Sequence, residues 1–238
     1  MNIGFISTRL AGTDGVSLET AKLATVLRRM GHRAFYCAGE LEDGGPPGML
    51  VREMHFRNPE NEWISAHAFG TTTPHPELWP RLEHLKATIK AGLKTFISDC
   101  AIDLLIPENA LTIPMQLPLG LAIAETIAET NLPTIAHHHD FYWEQERFRV
   151  HCVGDVLDRA FPPNLPTLRH VVINSIAQRE LKRRRGIDST VVPNVFDFAT
   201  PAPGIDNFNA DLRAAIGLPP EVKRYGLTSP FRSRSRVG

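Results

Sequence analysis

Residues 2–31 indicate the fold class of this chain most clearly, and they read N-I-G-F-I-S-T-R-L-A-G-T-D-G-V-S-L-E-T-A-K-L-A-T-V-L-R-R-M-G. Residues 2–6 are mostly apolar and predict a buried strand. A turn-rich loop containing Gly12, Asp14 and Gly15 follows it. From Val16 onward the apolar residues recur at helical spacing, and Gly31 is the expected C-terminal cap. A strand, a glycine loop and a helix in this order are typical of an α/β protein.

The rest of the chain repeats this alternation without a repeat period. Further strands are predicted over 33–37, 51–56, 103–106, 134–137, 170–174 and 190–193. Further helices are predicted over 82–97, 113–130, 148–160 and 176–185, the last one capped by Ser175, whereas 58–80 is expected to be irregular. The pattern predicts a Rossmann-like, doubly wound and mostly parallel sheet with helices on both faces.

Composition limits the function classes. The 238 residues carry 26 basic and 26 acidic side chains, so no global charge marks the chain as a nucleic-acid binder. Three cysteines without paired spacing suit a reducing compartment. No signal peptide and no apolar run of about 20 residues is present, which predicts a soluble, cytoplasmic protein.

The densest chemistry follows the strand near residue 134. His137, His138, His139, Asp140 and Glu144 arrive within eight residues, interleaved with aromatic rings. Alternation along a strand places the first and third histidines on one face and the second on the other. Three interpretations stay open: a sugar contact, a structural cluster, and a metal site that would need a third ligand such as Glu108.

The glycine loop supports a second candidate site. The start of a helix offers backbone N–H groups and positive dipole to a phosphate or a sugar hydroxyl, although a plain tight turn would read the same way. The three-glycine fingerprint of dinucleotide binding is absent, and no acidic residue ends the second strand, which disfavours a nicotinamide cofactor.

Three motifs in order resemble the amino-terminal domain of family 4 glycosyltransferases. They are Gly12-Thr13-Asp14-Gly15-Val16, His139-Asp140 and Pro193-Asn194-Val195-Phe196-Asp197, with Val195 where the family usually has glycine. The resemblance implies one half of a GT-B fold, in which the first domain holds the acceptor and the second holds the nucleotide sugar. It also implies transfer with retention and without a metal or other cofactor, from a GDP- or UDP-sugar in the complete enzyme to a sugar or lipid-linked acceptor.

The resemblance also implies site residues. His139 and Asp140 are the expected catalytic residues, with His139 donating a hydrogen bond to the transferred sugar and His138 as its substitute if the register is one residue off. The expected substrate-binding residues are Gly12, Asp14, Gly15, Val16, Glu108, Asn109, His138 and Glu144.

The domain prediction is 1–197 for this acceptor-side domain, 198–218 for a linker and 219–238 for an atypical, disordered tail. A donor domain is expected after residue 218, so the chain reads as truncated and inactive alone, with Phe141, Trp143, Phe196 and Phe198 forming an exposed apolar rim. The alternatives are a stand-alone α/β module that binds a sugar or nucleotide, and RNA binding by the arginine–serine tail.

The basic run Lys182-Arg183-Arg184-Arg185 has two interpretations. Cations in the last turn of a helix oppose the negative end of its dipole. The alternative is a patch that contacts anionic lipid or a phosphorylated acceptor, which would place the protein at the inner membrane face.

Overall fold

One parallel seven-stranded sheet organises the protein. The computed structural model describes residues 1–194 and 210–217. The strands are β1 (Asn2–Ser7), β2 (Arg33–Ala38), β3 (Gly48–Leu50), β4 (Leu104–Pro107), β5 (Thr134–His138), β6 (Leu168–Val172) and β7 (Ser189–Val191), in the order β3-β2-β1-β4-β5-β6-β7. Every neighbouring pair is parallel. The order reverses beside β1, which places a topological switch point between β1 and β4.

Helices connect the strands. They are α1 (Gly15–Arg29), α2 (Pro59–Ala68), α3 (Leu78–Asp99), α4 (Leu117–Thr130), α5 (Gly154–Ala160), α6 (Ser175–Arg185) and α7 (Leu212–Ala215), with short 3₁₀ turns at Arg52–Met54, Tyr142–Glu144 and Glu146–Phe148. None of the helices within residues 1–194 and 210–217 combines the length and the apolar character needed to cross a membrane.

The two faces of the sheet carry separate cores because strand side chains alternate. On one face Ile3 and Phe5 pack with Ala24 of α1. On the other face Ile6 packs with a larger cluster from α2, α3, α4 and α5 that includes Phe96 and lies under the long α3. The predicted doubly wound sheet with helices on both faces is therefore confirmed.

Two local predictions are wrong. The strand predicted over 51–56 is a three-residue strand that ends at Leu50 and a 3₁₀ turn that buries Met54 against the thiol of Cys37. The region predicted to be irregular contains α2, which Asn58 caps by accepting the N–H groups of Glu60 and Asn61. Local apolar content favoured the first error, and four scattered prolines favoured the second, although Pro59 suits the first turn of a helix.

The cap of α6 also differs from the prediction. The side chain of Asn174, not of Ser175, accepts the N–H of Ala177. Asn and Ser are equally good caps, so the choice depends on where the backbone leaves β6.

The chain divides by its contacts into Met1–Pro193 and Asn194–Gly238. The sheet belongs to the first unit, and α7 belongs to the second. The predicted tail 219–238, most of the predicted linker, and Phe196 and Phe198 lie outside the described residues, so the predicted domain limits stay predictions.

Candidate active site

Polar side chains from adjacent strands meet at the carboxyl edge of the sheet. Glu108 follows the last residue of β4, and His139 follows the last residue of β5. The two strands are parallel neighbours. The pairing continues beyond the end of β4, where Glu108 pairs with His137 of β5. Ligand sites of open α/β sheets lie at this edge.

Glu108, His137 and His139 form one cluster there. The Oε2 atom of Glu108 lies 2.9 Å from Nδ1 of His137 and 3.5 Å from Nε2 of His139. Burial alone would raise the pKa of Glu108, but the hydrogen bonds and charges of the two imidazoles outweigh burial and lower it. Burial would lower the pKa of His137, but pairing with Glu108 raises it. The cluster is thus suited to hold positive charge on an imidazole next to a carboxylate.

The depth of Glu108 changes its expected role. Its relative exposure is only 1%, and its carboxylate faces the two histidines. This geometry favours contact of Glu108 with the imidazoles over direct contact with a substrate, and its substrate-binding role stays a prediction.

His138 points to the opposite face of β5, as strand alternation predicts. It is fully buried, and its Nε2 lies 2.9 Å from Nδ1 of His170 on β6. Burial holds the pKa of His138 well below its usual range and lowers that of His170 to about 4. This neutral pair is structural, so the prediction that His138 could substitute for His139 or bind substrate is not supported.

Asn109 holds the turn that carries His139 and Asp140. Its Oδ1 accepts the backbone N–H of His139 at 3.0 Å and the hydroxyl of Thr112 at 3.0 Å. Its Nδ2 donates to Oδ1 of Asp140 at 2.7 Å. Gln145 donates to the other oxygen of Asp140 at 2.5 Å. Asn109 itself adopts φ = 56°, a left-handed conformation that Asn tolerates better than most residues.

Three residues that contact this site were not predicted from the sequence. His170, Thr112 and Gln145 complete the site from below and from the side. An asparagine close after a predicted strand indicates a turn, and this signal predicted Asn109 but neither Thr112 nor Gln145. No pattern marks His170, because its partner is 32 residues away.

The glycine loop differs from its prediction in one respect. Gly12 has φ = 78°, as a tight turn requires. The N–H groups of Val16 and Ser17 are not free, because both donate to Oδ1 of Asp14 at 3.1 Å. Arg9 pairs with the other oxygen of Asp14 at 2.9 Å. A phosphate or hydroxyl at this helix start would therefore have to displace the Asp14 carboxylate.

The segment after Asp140 is largely a packing element. Glu144 accepts the N–H of Phe141 at 3.0 Å and thereby closes a 3₁₀ turn. Phe141 is fully buried and stacks on Trp143 at 4.4 Å, and Arg184 covers Trp143 at 5.5 Å. The prediction that Phe141 forms an exposed rim is wrong, because this ring packs against β6 and α6.

A groove of about 470 Å³ lies on the described part of the protein, and none of Glu108, His137 and His139 lines it. Its walls come from α2 and from the segments that follow β3, β4 and β5. It is mostly apolar, with an acidic and a basic side chain, and its lining residues are Phe56, Glu62, Ser65, Phe69, Pro114, Met115, Arg147 and Phe148. This size and composition fit a small organic ligand.

The basic run of α6 is paired within the protein. Each of its four cations lies within ion-pair distance of an acid: Lys182 with Asp188, Arg183 and Arg184 with Glu180, and Arg185 with Asp158. Four acid contacts reduce the local positive potential, which favours the helix-end interpretation.

The chain is similar in sequence to known glycosyltransferases. No family model matches the chain. It is 39% identical over 215 residues to a mannosylglucosylglycerate synthase of Thermotoga maritima, which covers 84% of this chain and 46% of that protein. It is 31% identical over 221 residues to the mannosylglucosylglycerate synthase of Petrotoga mobilis, covering 92% of this chain and 50% of that one.

A solved structure agrees on the fold. Sucrose-phosphate synthase from Thermosynechococcus elongatus superposes with a TM-score of 0.55 at 12% identity, over 92% of this chain and 53% of that chain. The described sheet therefore matches one half of a GT-B glycosyltransferase, and the chain spans about half the length of the curated relatives it matches. The chain is a glycosyltransferase-like domain homologous to the mannosylglucosylglycerate synthases.

Proposed function

We propose that this domain binds the acceptor in a retaining transfer of a sugar, mannose by analogy with its relatives, from a nucleotide sugar to glucosylglycerate. The identity of 39% over 84% of the chain to a mannosylglucosylglycerate synthase carries the proposal. A small acid bearing a sugar is of a size that the groove between α2 and the segments after β3, β4 and β5 could take. The donor, a GDP- or UDP-sugar, would be held by a second domain of the kind that the GT-B fold provides.

His139 and Asp140 are the residues we place against the reacting sugar. Both stand on a turn that Asn109 and Gln145 hold by hydrogen bonds to backbone and side chain. A hydrogen-bond donor that is held in position before the reaction stabilises developing charge without having to reorganise during it. Glu108 would orient both imidazoles from below, and its carboxylate raises the pKa of His137.

The glycine loop would contribute from the neighbouring strand. Ser7, at the end of β1, donates to the carbonyl of Glu108 at 3.2 Å, and the charge of Glu19 on α1 contributes to the raised pKa of His137. The start of α1 therefore lies beside the cluster. Gly12, Asp14, Gly15 and Val16 stay candidate binding residues for a hydroxyl or phosphate, with Asp14 exchanging its cap contacts for a ligand.

The first test measures acceptor binding by the 238-residue chain alone. Calorimetric titration with glucosylglycerate should show binding that His139→Ala weakens and that Asn164→Ala, on an exposed loop, leaves unchanged. Glycerate without its sugar should bind less well. Absence of binding by the folded chain would refute the acceptor role.

The second test measures transfer. Labelled GDP-mannose and UDP-mannose are offered with the acceptor to the chain alone and to the chain mixed with the carboxyl-terminal half of the Thermotoga maritima relative. We expect product only in the mixture, because positioning both substrates contributes about 7–11 kcal/mol to lowering such barriers. Binding without transfer in both arms would favour the stand-alone binding module. Contact of α6 with anionic membranes stays a prediction that vesicle sedimentation can check.

A further inference from the structure

Three metal-ligating side chains converge at the ends of β4 and β5. One ligand atom from each of Glu108, His137 and His139 lies within 4.8 Å of the others. Within residues 1–194 and 210–217, no other three His, Cys, Asp or Glu side chains come together in this way. The sheet itself creates the group, because His137 lies on β5, His139 directly follows it, and Glu108 directly follows the adjacent strand β4.

The spacing of the ligand atoms suits a tetrahedral ion. With metal–ligand bonds of about 2.0–2.1 Å, neighbouring ligand atoms of such a site are about 3.3 Å apart. The distances from Oε2 of Glu108 to Nδ1 of His137 and to Nε2 of His139 are 2.9 Å and 3.5 Å. Two of the three ligand distances are therefore close to the tetrahedral value, and all three lie within 4.8 Å.

Two buried polar atoms of the cluster also lack a hydrogen bond to the residues that the structure describes. Oε1 of Glu108 and Nε2 of His137 have no hydrogen-bond partner among the residues that the structure describes. Their residues are only 1% and 5% exposed. Buried polar atoms are nearly always satisfied, so a pair of exceptions in one cluster requires an explanation. A cation bound through Nδ1 of His137 would account for Oε1 of Glu108, because a carboxylate can bind an ion through both oxygens.

The surrounding structure holds these ligands in place. The N–H of Glu108 donates to the carbonyl of Ile6 at 2.8 Å, and Ser7 donates to the carbonyl of Glu108. The N–H of His139 donates to Asn109. Backbone contacts to neighbouring elements fix the ligands before an ion arrives, which reduces the cost of assembling a site.

We propose that Glu108, His137 and His139 bind one divalent transition-metal ion of the Zn²⁺ class, with water in the fourth position. Two imidazoles and one carboxylate favour Zn²⁺ or Co²⁺ over Mg²⁺ and Ca²⁺, which prefer oxygen ligands. The proposed sugar transfer requires no metal. The ion would therefore be an additional ligand of this site, and its binding would immobilise His139.

The test titrates the purified 238-residue chain with Co²⁺, whose visible absorption reports its coordination, and with Zn²⁺ in equilibrium dialysis. We expect one tight ion per chain. His139→Ala and Glu108→Gln should each weaken it at least about tenfold, since even outer-shell changes cost 10–100-fold. His55→Ala is the matched control, because His55 forms an exposed pair with Glu40 at 3.1 Å and is not part of a three-residue group.

The outcomes separate cleanly. Circular dichroism establishes that each variant is folded, and if Glu108→Gln is not, His139→Ala decides, because the His139 side chain is the most exposed of the three at 11%. Equal affinity in the wild type and His139→Ala, or loss of the tightest ion in His55→Ala, would overturn the proposal. No sugar enters this assay, so its failure says nothing against the acceptor role.

Discussion

Replacing Asn109 by Ala should destabilise the domain by about 3–4 kcal/mol. The change removes two hydrogen bonds of 3.0 Å to Oδ1, from His139 and Thr112, and one of 2.7 Å from Nδ2 to the Asp140 carboxylate. Neutral bonds contribute about 1 kcal/mol each and the bond to a carboxylate about 2 kcal/mol, of which water at this part-buried site restores a share. Alanine at φ = 56° adds about 1 kcal/mol of backbone strain.

Urea unfolding followed by tryptophan fluorescence measures this loss, with Asn164→Ala, in an exposed loop, as the control expected to stay within about 0.5 kcal/mol of the wild type. Asn109→Asp refines the test. It keeps the acceptor Oδ1 and tolerates the left-handed backbone, but it sets a second carboxylate against Asp140. Its loss of stability should be at least as large as that of Asn109→Ala at pH 7, because the two carboxylates repel each other. An Asn109→Ala variant as stable as the Asn164→Ala control would refute the role of Asn109 in holding this turn.

Three further outcomes follow from packing and titration. A glycine-to-alanine change inside a helix usually stabilises a protein. Gly120→Ala should instead lower the free energy of unfolding by about 2 kcal/mol in urea, because the added Cβ would lie 2.1 Å from the Phe161 ring. Gly39→Ala should cost about 3 kcal/mol in the same assay, since its Cβ would lie 2.1 Å from the backbone nitrogen of His55, which cannot rotate away. Burial lowers the pKa of His170 to about 4, below the unfolded value of about 6.5, so the unfolded state binds the proton first and stability is lost as pH falls through that interval. The loss due to this group between pH 7 and pH 5 should be about 2 kcal/mol, and His170→Asn should abolish that part of the dependence.

The spacing of apolar residues along the sequence was enough to predict the fold class. Runs of two-residue alternation and helical spacing reflect contacts between near neighbours, and they located six of the seven strands and the faces of His137, His138 and His139. The prediction failed at 51–56 and 58–80, where short apolar stretches and prolines suit more than one structure. There the burial of Met54 and the cap at Asn58 decided the outcome.

Local sequence is enough to place chemistry-bearing side chains directly after buried strands, since strand ends and turns are encoded within a few residues. Which of these side chains contact one another depends on the tertiary structure. Glu108 reaches His137 from 29 residues away, and His138 reaches His170 from 32, because β4, β5 and β6 are neighbours in the sheet. That order is set by how the crossover helices pack on the two faces of the sheet, a property of the whole core that no short stretch of sequence carries.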